Sequence, residues 1–526
     1  MSPAAHGKAP GPERHAAPFA ERRFRHRAAP VVAFILGALT VGGYAPYYLY
    51  LLPCGTLALL MLQWRAAGSA RRAAWLGACF GLGFFLGGVS WVYVSLHDFG
   101  AMPVPLAAFA TVLFCAYLAL YPAAAGALAW TIPGRPALQY GVLLPAAWAL
   151  LEWVRGWLFT GFPWLALGYS QIPRSPLAGY APVLGIIGVS FATALTAGLL
   201  AMLVMAHARA TRRRTAAVAR HPALYALALL WAAGYGLQQV EWTHPSGAPL
   251  TVSLLQGDIP QDMKWQPGHL RATLESYRDL ALASTSRLIV FPETALPLFL
   301  SEVPRGYLAE LAQHARENRG DMLIGVPEDA PGGHYYNSVI SLGTSPSQVY
   351  RKTHLVPFGE FVPLRPVLGR IVSALAIPLQ DFSRGDEHPQ PLAVAGERVA
   401  VDICYEDAFG SEIIRQLPAA TLLVNASNVA WFGHSLAPYQ HLQISQARAL
   451  ETGRYMLTAT NTGVTGVIDP RGHVVAAAPE FVRTTVTREV QGYAGATPYV
   501  RWGNAAALIL CTVLAVAAFL AGRRAR

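Results

Sequence analysis

The chain has 526 residues, 54% of them hydrophobic and only 13% charged, about half the charged fraction of an ordinary soluble protein. The net charge is +11, but outside 241–500 there are 21 Lys+Arg against 4 Asp+Glu, and inside it 19 against 25. This uneven placement argues against a nucleic-acid partner and for a basic membrane part joined to a mildly acidic soluble part.

Residues 1–30 are basic and without periodic pattern, and no function is assigned to them. Apolar stretches follow at 31–45, 46–63, 74–95, 103–131, 138–160, 182–206, 222–238 and 503–521. Most approach the ~20 residues a helix needs to cross hydrocarbon. Only GGYAPYY (42–48) separates the first two, so a single kinked span over 31–63 is the alternative. No short apolar core leads to a cleavage site, and the first stretch reads as a retained helix.

Arginine placement decides the count. The clusters RRFRHR (22–27), RAAGSARR (65–72), RATRRRTAAVAR (209–220) and RRAR (523–526), together with Arg135, share one face if the chain crosses eight times. That face is cytoplasmic by its positive charge. Seven crossings would set the first cluster against the rest. The expected organisation is a cytoplasmic tail over 1–30, a membrane domain of seven helices over 31–240, a domain on the opposite, outer face over 241–500, and a last helix with a basic tail over 501–526.

From about residue 248 short β-branched runs alternate with amphipathic ones. Strands are predicted at 249–259, 286–294, 321–328, 336–342, 347–352, 396–406, 420–427 and 455–462, with a hairpin over 463–477 turning at Asp469–Gly472. Helices are predicted at 269–284, 303–320, 408–417 and 437–453. This alternation defines an α/β domain with largely buried strands. The apolar segment 361–380, broken by proline, reads either as a buried core loop or as an arm that touches lipid.

Of the five cysteines, Cys54, Cys79, Cys115 and Cys511 fall in apolar stretches and only Cys404 lies in the α/β domain. A lone cysteine is ordinarily an inert packing group. Cys404, however, closes a predicted strand and opens onto a predicted helix, where backbone N–H groups favour a thiolate or an oxyanion. Glu293 in VFPETALP and Lys352 in VYRKTHLVPFGEF also follow strands directly. Three polar residues at one rim of an α/β sheet form a candidate site, although Glu293 also suits a helix cap and Lys352 a solvated charge. His354 offers a competing Cys–His pair. His434 and His441, seven apart, lack carboxylates at ligand spacing, so no metal is expected. No H-E-x-x-H, G-x-S-x-G or P-loop string occurs, which removes the main support for those chemistries.

FPET (Glu293), RKTHLVPFGEFVP (Lys352) and ICYED (Cys404) resemble the blocks of the nitrilase, or carbon-nitrogen hydrolase, superfamily. Together with the eight apolar stretches, QGDIPQDMKW (256–265) and NASNVAWFG (425–433), they resemble its membrane-bound branch, the apolipoprotein N-acyltransferases. The resemblance covers essentially the whole chain. It implies a multi-pass helical membrane domain of eight helices plus an α/β nitrilase-like αββα sandwich. Glu293 would then be the general base, Cys404 the nucleophile, and Lys352 the oxyanion stabiliser together with backbone N–H near Tyr405. Glu360 would orient Lys352 and the amine. Trp265, Phe358, Tyr405 and Glu406 would shape the substrate pocket, although Trp265 and Phe358 also suit ordinary core and Glu406 a helix start.

The resemblance further implies a glycerophospholipid acyl donor and a diacylglyceryl apolipoprotein acceptor. It implies contact with membrane lipid, no cofactor, a monomer, and residence in the bacterial inner membrane. A membrane-tethered amidase or nitrilase would use the same triad. A transporter or scaffold with a dead enzyme-like domain fits poorly, because Asp98 and Glu152 are the only acids in or beside the apolar stretches before residue 241.

Overall fold

The computed structural model describes residues 16–132, 135–209, 220–362 and 382–523. The first seven apolar stretches become α1 (Ala16–Thr40), α2 (Leu51–Ala66), α3 (Ala70–Val89), α4 (Val104–Leu128), α5 (Pro136–Arg155), α6 (Ala181–Arg209) and α7 (Pro222–Gln238). GGYAPYY forms a 3-10 turn at Val41–Gly43 and the bend after it, so α1 and α2 are two helices and not one kinked span. Glycines let the helices approach closely, as is common where lipid supplies no hydrophobic drive. A Cβ on Gly37 would lie 1.9 Å from the Phe80 carbonyl oxygen, and one on Gly83 would lie 2.0 Å from that of Phe34, so α1 and α3 touch backbone to backbone. Phe109, Leu120 and Leu229 point outward and are more than half exposed, a surface suited to lipid.

The eight apolar stretches thus carry eight helices, the last being Ala505–Arg523. Five helical runs among the described residues are long and apolar enough to cross a membrane: Ala70–Val89, Val104–Leu128, Pro136–Arg155, Pro176–Ala208 and Ala505–Arg523. The 16 residues of α2 reach about 24 Å, short of the ~30 Å hydrocarbon core. Length and composition thus establish five of the eight expected spans.

The α/β domain runs through β1 (Thr243–Gln256), α8 (Pro267–Leu282), β2 (Leu288–Val290), α9 (Arg305–Glu317), β3 (Asp321–Ala330), β4 (His334–Gly343), β5 (Val349–Arg351), β6 (Leu392–Val394), β7 (Glu397–Ile403), β8 (Leu422–Ser427), α10 (Ala437–Thr452), β9 (Met456–Thr460), β10 (Gly466–Ile468), β11 (Val474–Ala477) and β12 (Thr484–Gly495). Two six-stranded sheets result, in the orders β12-β1-β2-β3-β4-β5 and β11-β10-β9-β8-β7-β6. Side chains alternate between faces along each strand. Val252, Leu254, Val290, Val399, Val401 and Val424 therefore meet between the sheets. Ile289, Met322 and Ile324 pack outward on Tyr277 of α8 and Leu311 of α9. Ala400, Leu423 and Met456 pack outward on Leu442 and Ala449 of α10. The layers are helix, sheet, sheet, helix.

Three predicted details change. The strand expected over 396–406 ends at Ile403, and residues 404–408 form a 3-10 turn entered with Cys404 at φ +54°. The helix expected over 408–417 shrinks to Gly410–Ile413 and a 3-10 turn, Ile414–Gln416, just before Pro418. The strands β6 and β12 are additional; β12 pairs antiparallel with β1 along most of its length. The 361–380 segment lies, apart from Phe361 and Val362, outside the described residues.

Helix α10 is wedged between its sheet and the membrane helices, so polar side chains face an interface that excludes water. Gln440 accepts from the indole N–H groups of Trp91 (3.2 Å) and Trp164 (2.7 Å). Gln443 accepts from the Ala45 N–H and donates to the Ile172 carbonyl, both at 2.9 Å. Glu451 accepts from the Ile186 N–H at 2.8 Å, beside the α6 break at Gly185, φ +64°. Each amide or carboxylate satisfies backbone or indole groups left over at the ends and bends of the helices.

Gly83→Leu should overpack the α1–α3 contact by ~1–3 kcal/mol and lower the thermal midpoint in detergent by several degrees. Phe109→Leu, on the outward face, should leave that midpoint unchanged.

Candidate active site

The site is assembled from loops that leave the same end of neighbouring strands. Glu293 lies three residues beyond β2, Lys352 one beyond β5, Cys404 one beyond β7, and Asn428 one beyond β8. In the first sheet β2 is parallel to β3 and β5 lies two antiparallel steps from β3, and in the second β7 is parallel to β8, so the exits within each sheet point the same way. Glu360 arrives on a tight turn closed by a bridge between Pro357 and Phe361, and its Oε2 accepts from the Val356 N–H at 2.8 Å.

Lys352 is the centre. Its side chain is 1% exposed, and Nζ lies 2.9 Å from Glu360 Oε1 and 3.3 Å from Glu293 Oε1. Asn337 of β4 donates to both carboxylates, at 2.7 Å to Glu293 and 3.0 Å to Glu360. The Asn428 N–H caps the other oxygen of Glu293 at 2.9 Å. Burial works against the Lys352 charge, but Glu293 and then Glu360 outweigh it and hold the ammonium above its ordinary value. Burial likewise works to raise Glu293, yet Lys352, Asn337 and Lys264 together leave it below the usual carboxylate range. The Cys404 thiol is pushed up to about 12, chiefly by burial and then by the Glu293 charge, with Lys352 opposing. At rest the cluster is an ion pair beside a protonated thiol.

The other expected residues divide. Trp265 and Phe358 are about half exposed, and Phe358 holds φ +61° in the Glu360 turn. Tyr405 turns to the membrane domain, its hydroxyl donating to the Gly161 carbonyl at 2.9 Å. Glu406 is buried, and its carboxylate is fully occupied. It accepts from Thr353 N (2.6 Å), Thr353 Oγ1 (2.9 Å), His354 N (2.9 Å), Tyr350 Oη (2.9 Å) and Ile403 N (2.7 Å). It ties the exit of β5, which carries Lys352, to the turn that carries Cys404. His354 stacks on Phe409, with ring centroids 3.6 Å apart, and faces Glu412 at 3.1 Å. Among the described residues no hydrogen bond joins it to Cys404. His434 and His441 diverge, the first onto Phe481 and the second onto the Cys404 carbonyl. Among the described residues no cluster of His, Cys, Asp and Glu could hold a metal ion.

One residue that the motifs do not single out is Lys264. It is 2% exposed and donates to the Glu293 carbonyl oxygen at 3.2 Å. Burial lowers its ammonium to about 8, with Glu293 and Cys404 opposing. A signal for it exists: the chain holds only three lysines, Lys8, Lys264 and Lys352, against 37 arginines. Both lysines of the α/β domain stand at this site. A compact ammonium that can lose its proton is not replaceable by a guanidinium.

A Glu–Lys–Cys cluster at the rim of a four-layer α/β domain docked on apolar helices defines a membrane-associated carbon-nitrogen hydrolase. Two family models match, Apolipoprotein N-acyltransferase N-terminal domain over residues 36–199 and Carbon-nitrogen hydrolase over 251–499. The apolipoprotein N-acyltransferase of Nitrosomonas europaea is 54% identical, over 94% of this chain and 98% of that one. That of Chromobacterium violaceum is 45% identical, over 94% of each, and that of Neisseria meningitidis serogroup B is 39% identical, over 92% and 94%. The chain belongs to the apolipoprotein N-acyltransferase family.

Glu406→Ala would leave several buried donors unpaired, at ~1–3 kcal/mol each. It should lower the thermal midpoint in detergent far more than the exposed substitution Glu275→Ala does. Equal midpoints for the two variants would contradict the bracing role of Glu406.

Proposed function

We propose that this chain transfers a fatty acyl group from the sn-1 ester of a glycerophospholipid, through a Cys404 thioester, to the α-amine of the S-diacylglyceryl cysteine of apolipoproteins. Glu293 takes the Cys404 proton as sulfur attacks the ester carbon. With the thiol raised and Glu293 lowered, this transfer is uphill at rest and accompanies attack instead of preceding it. Lys352 and the Tyr405 N–H stabilise the tetrahedral oxyanion. Collapse expels lysophospholipid, whose oxygen recovers the proton from Glu293. The amine then attacks the thioester carbonyl and gives its proton to Glu293, which returns it to the departing Cys404 sulfur as the amide forms and the C–S bond breaks. Glu360 holds Lys352 in line and orients the amine. Trp265, Phe358 and Tyr405 border the substrates, and Glu406 supports the site from behind. No metal or cofactor takes part.

The single observation that favours lipid substrates over a small amide is the bond from Tyr405, next to the nucleophile, to Gly161 of the membrane domain. A tethered amidase would use the same triad but would gain nothing from a nucleophile at this join. Two lipid-anchored substrates confined to one leaflet meet at raised effective concentration, and an apolar surround limits hydrolysis of the thioester. The positive-inside argument supports eight crossings, with the membrane domain over 31–240 and 501–526 and the catalytic domain over 241–500 on the periplasmic side. The enzyme acts there as a monomer of the bacterial inner membrane.

Cys404→Ala should abolish transfer to a diacylglyceryl peptide in detergent, and Cys404→Ser should leave at most a small fraction. Unimpaired transfer by the alanine variant would exclude the assignment. Protease added to sealed right-side-out vesicles should cut within 241–500, whereas protection of that segment would reverse the topology.

A further inference from the structure

The peptide that follows the nucleophile is held from two sides. Asn425 of β8 donates Nδ2–H to the Cys404 carbonyl oxygen at 3.2 Å. His441 of α10 reaches the same oxygen through Nε2 at 3.1 Å. A carbonyl only accepts, so Nε2 carries the proton. Cys404 sits at φ +54°, a region costly for a residue with a Cβ, and such a conformation persists only where its surroundings impose it. The Cys404–Tyr405 bond is not among the cis peptides. In a trans peptide the N–H points opposite to the carbonyl. Fixing the Cys404 oxygen therefore fixes the direction of the Tyr405 N–H.

His441 is itself placed by the membrane domain. Its ring stacks on Trp164, from the connection between α5 and α6, with centroids 5.9 Å apart and planes 11° from parallel. Trp164 also donates to Gln440, the residue before His441, at 2.7 Å. Neither bond to the Cys404 oxygen touches the thiol or its base, so both bear on the peptide and not on sulfur.

We propose that Asn425 and His441 are positioning residues that lock the Cys404–Tyr405 peptide plane, so that the Tyr405 N–H meets the oxyanion opposite Lys352, and that Trp164 makes this lock depend on the membrane domain. The inference rests on the acyl-transfer reading above. Loss of the lock lets the peptide rotate and the N–H turn away, while the thiol and Glu293 stay in place.

The test compares two reactions of the same full-length protein in mixed micelles of phosphatidylethanolamine and phosphatidylglycerol. One is single-turnover acylation of Cys404 by the phospholipid, followed by intact mass. The other is alkylation of Cys404 by iodoacetamide, a displacement at saturated carbon that forms no oxyanion. His441→Ala should slow acylation roughly 10–100-fold and leave alkylation unchanged. His441→Gln, which keeps an N–H donor, should recover most of the loss, and Trp164→Leu should slow acylation in the same selective way. Acylation and alkylation slowing together, or acylation unaffected, would overturn the lock alone. Failure of the wild-type protein to acquire an acyl group would overturn the acyl-transfer reading and the lock with it.

Discussion

One buried charge organises the catalytic domain. An ammonium that is 1% exposed cannot persist without opposite charge, because removing an ion from water costs several kcal/mol even after the protein relaxes. Lys352 meets this demand with Glu293 from beyond β2 and Glu360 from the turn after β5, while Asn337 of β4 ties both acids together. Lys264 adds a second cation and makes the cluster two lysines to two carboxylates. Such a set is neutral as a whole and polar in every part. It can stand beside Cys404 without leaving an unpaired ion when substrate excludes the remaining water. It also leaves the thiol protonated until an ester arrives.

The second constraint is the join to the membrane domain. Helix α10 is covered on both sides, by its own sheet and by the α1–α2, α3 and α5–α6 connections. Its glutamines and Glu451 are matched to backbone and indole groups that those connections leave over. Because the same helix carries His441, the geometry at Cys404 is shared between two domains whose contacting residues, Trp164 and His441, lie more than 200 positions apart in the chain. The aromatic ladder Phe162, Trp164, Trp91 and Phe432 continues the same contact into the apolar region. A nitrilase-like layer structure alone would not require any of this. We propose that it serves to place Cys404 where lipid can reach it.

Much of this was legible in the residues. The acids and bases of the site stand directly after β-branched runs, at FPET, YRK and ICYE, and strand exits are readable from pattern. Other parts were not, for physical reasons. Glu406 suggests a pocket acid or a helix start, and its five donors come partly from the opposite sheet, a relation that no local spacing encodes. His441 invites comparison with His434 for metal, yet its partner is a carbonyl oxygen, which carries no side-chain signature. Cys404 at positive φ ends β7 three residues early without a glycine to announce it. The strand β12 alternates threonine with charged and apolar residues at a sheet edge, where the burial signal is weakest. Lys264 had a visible cue in the rarity of lysine, but composition and not motif carries it.

The central claim is that Cys404 carries an acyl chain between two lipid substrates. Intact mass of the purified protein incubated with a single defined phospholipid tests it most directly. The account predicts an increment equal to one acyl chain of that lipid, mapped to Cys404 and discharged when a diacylglyceryl peptide amine is added. Persistent absence of the increment, with fatty acid released into solution instead, would contradict it.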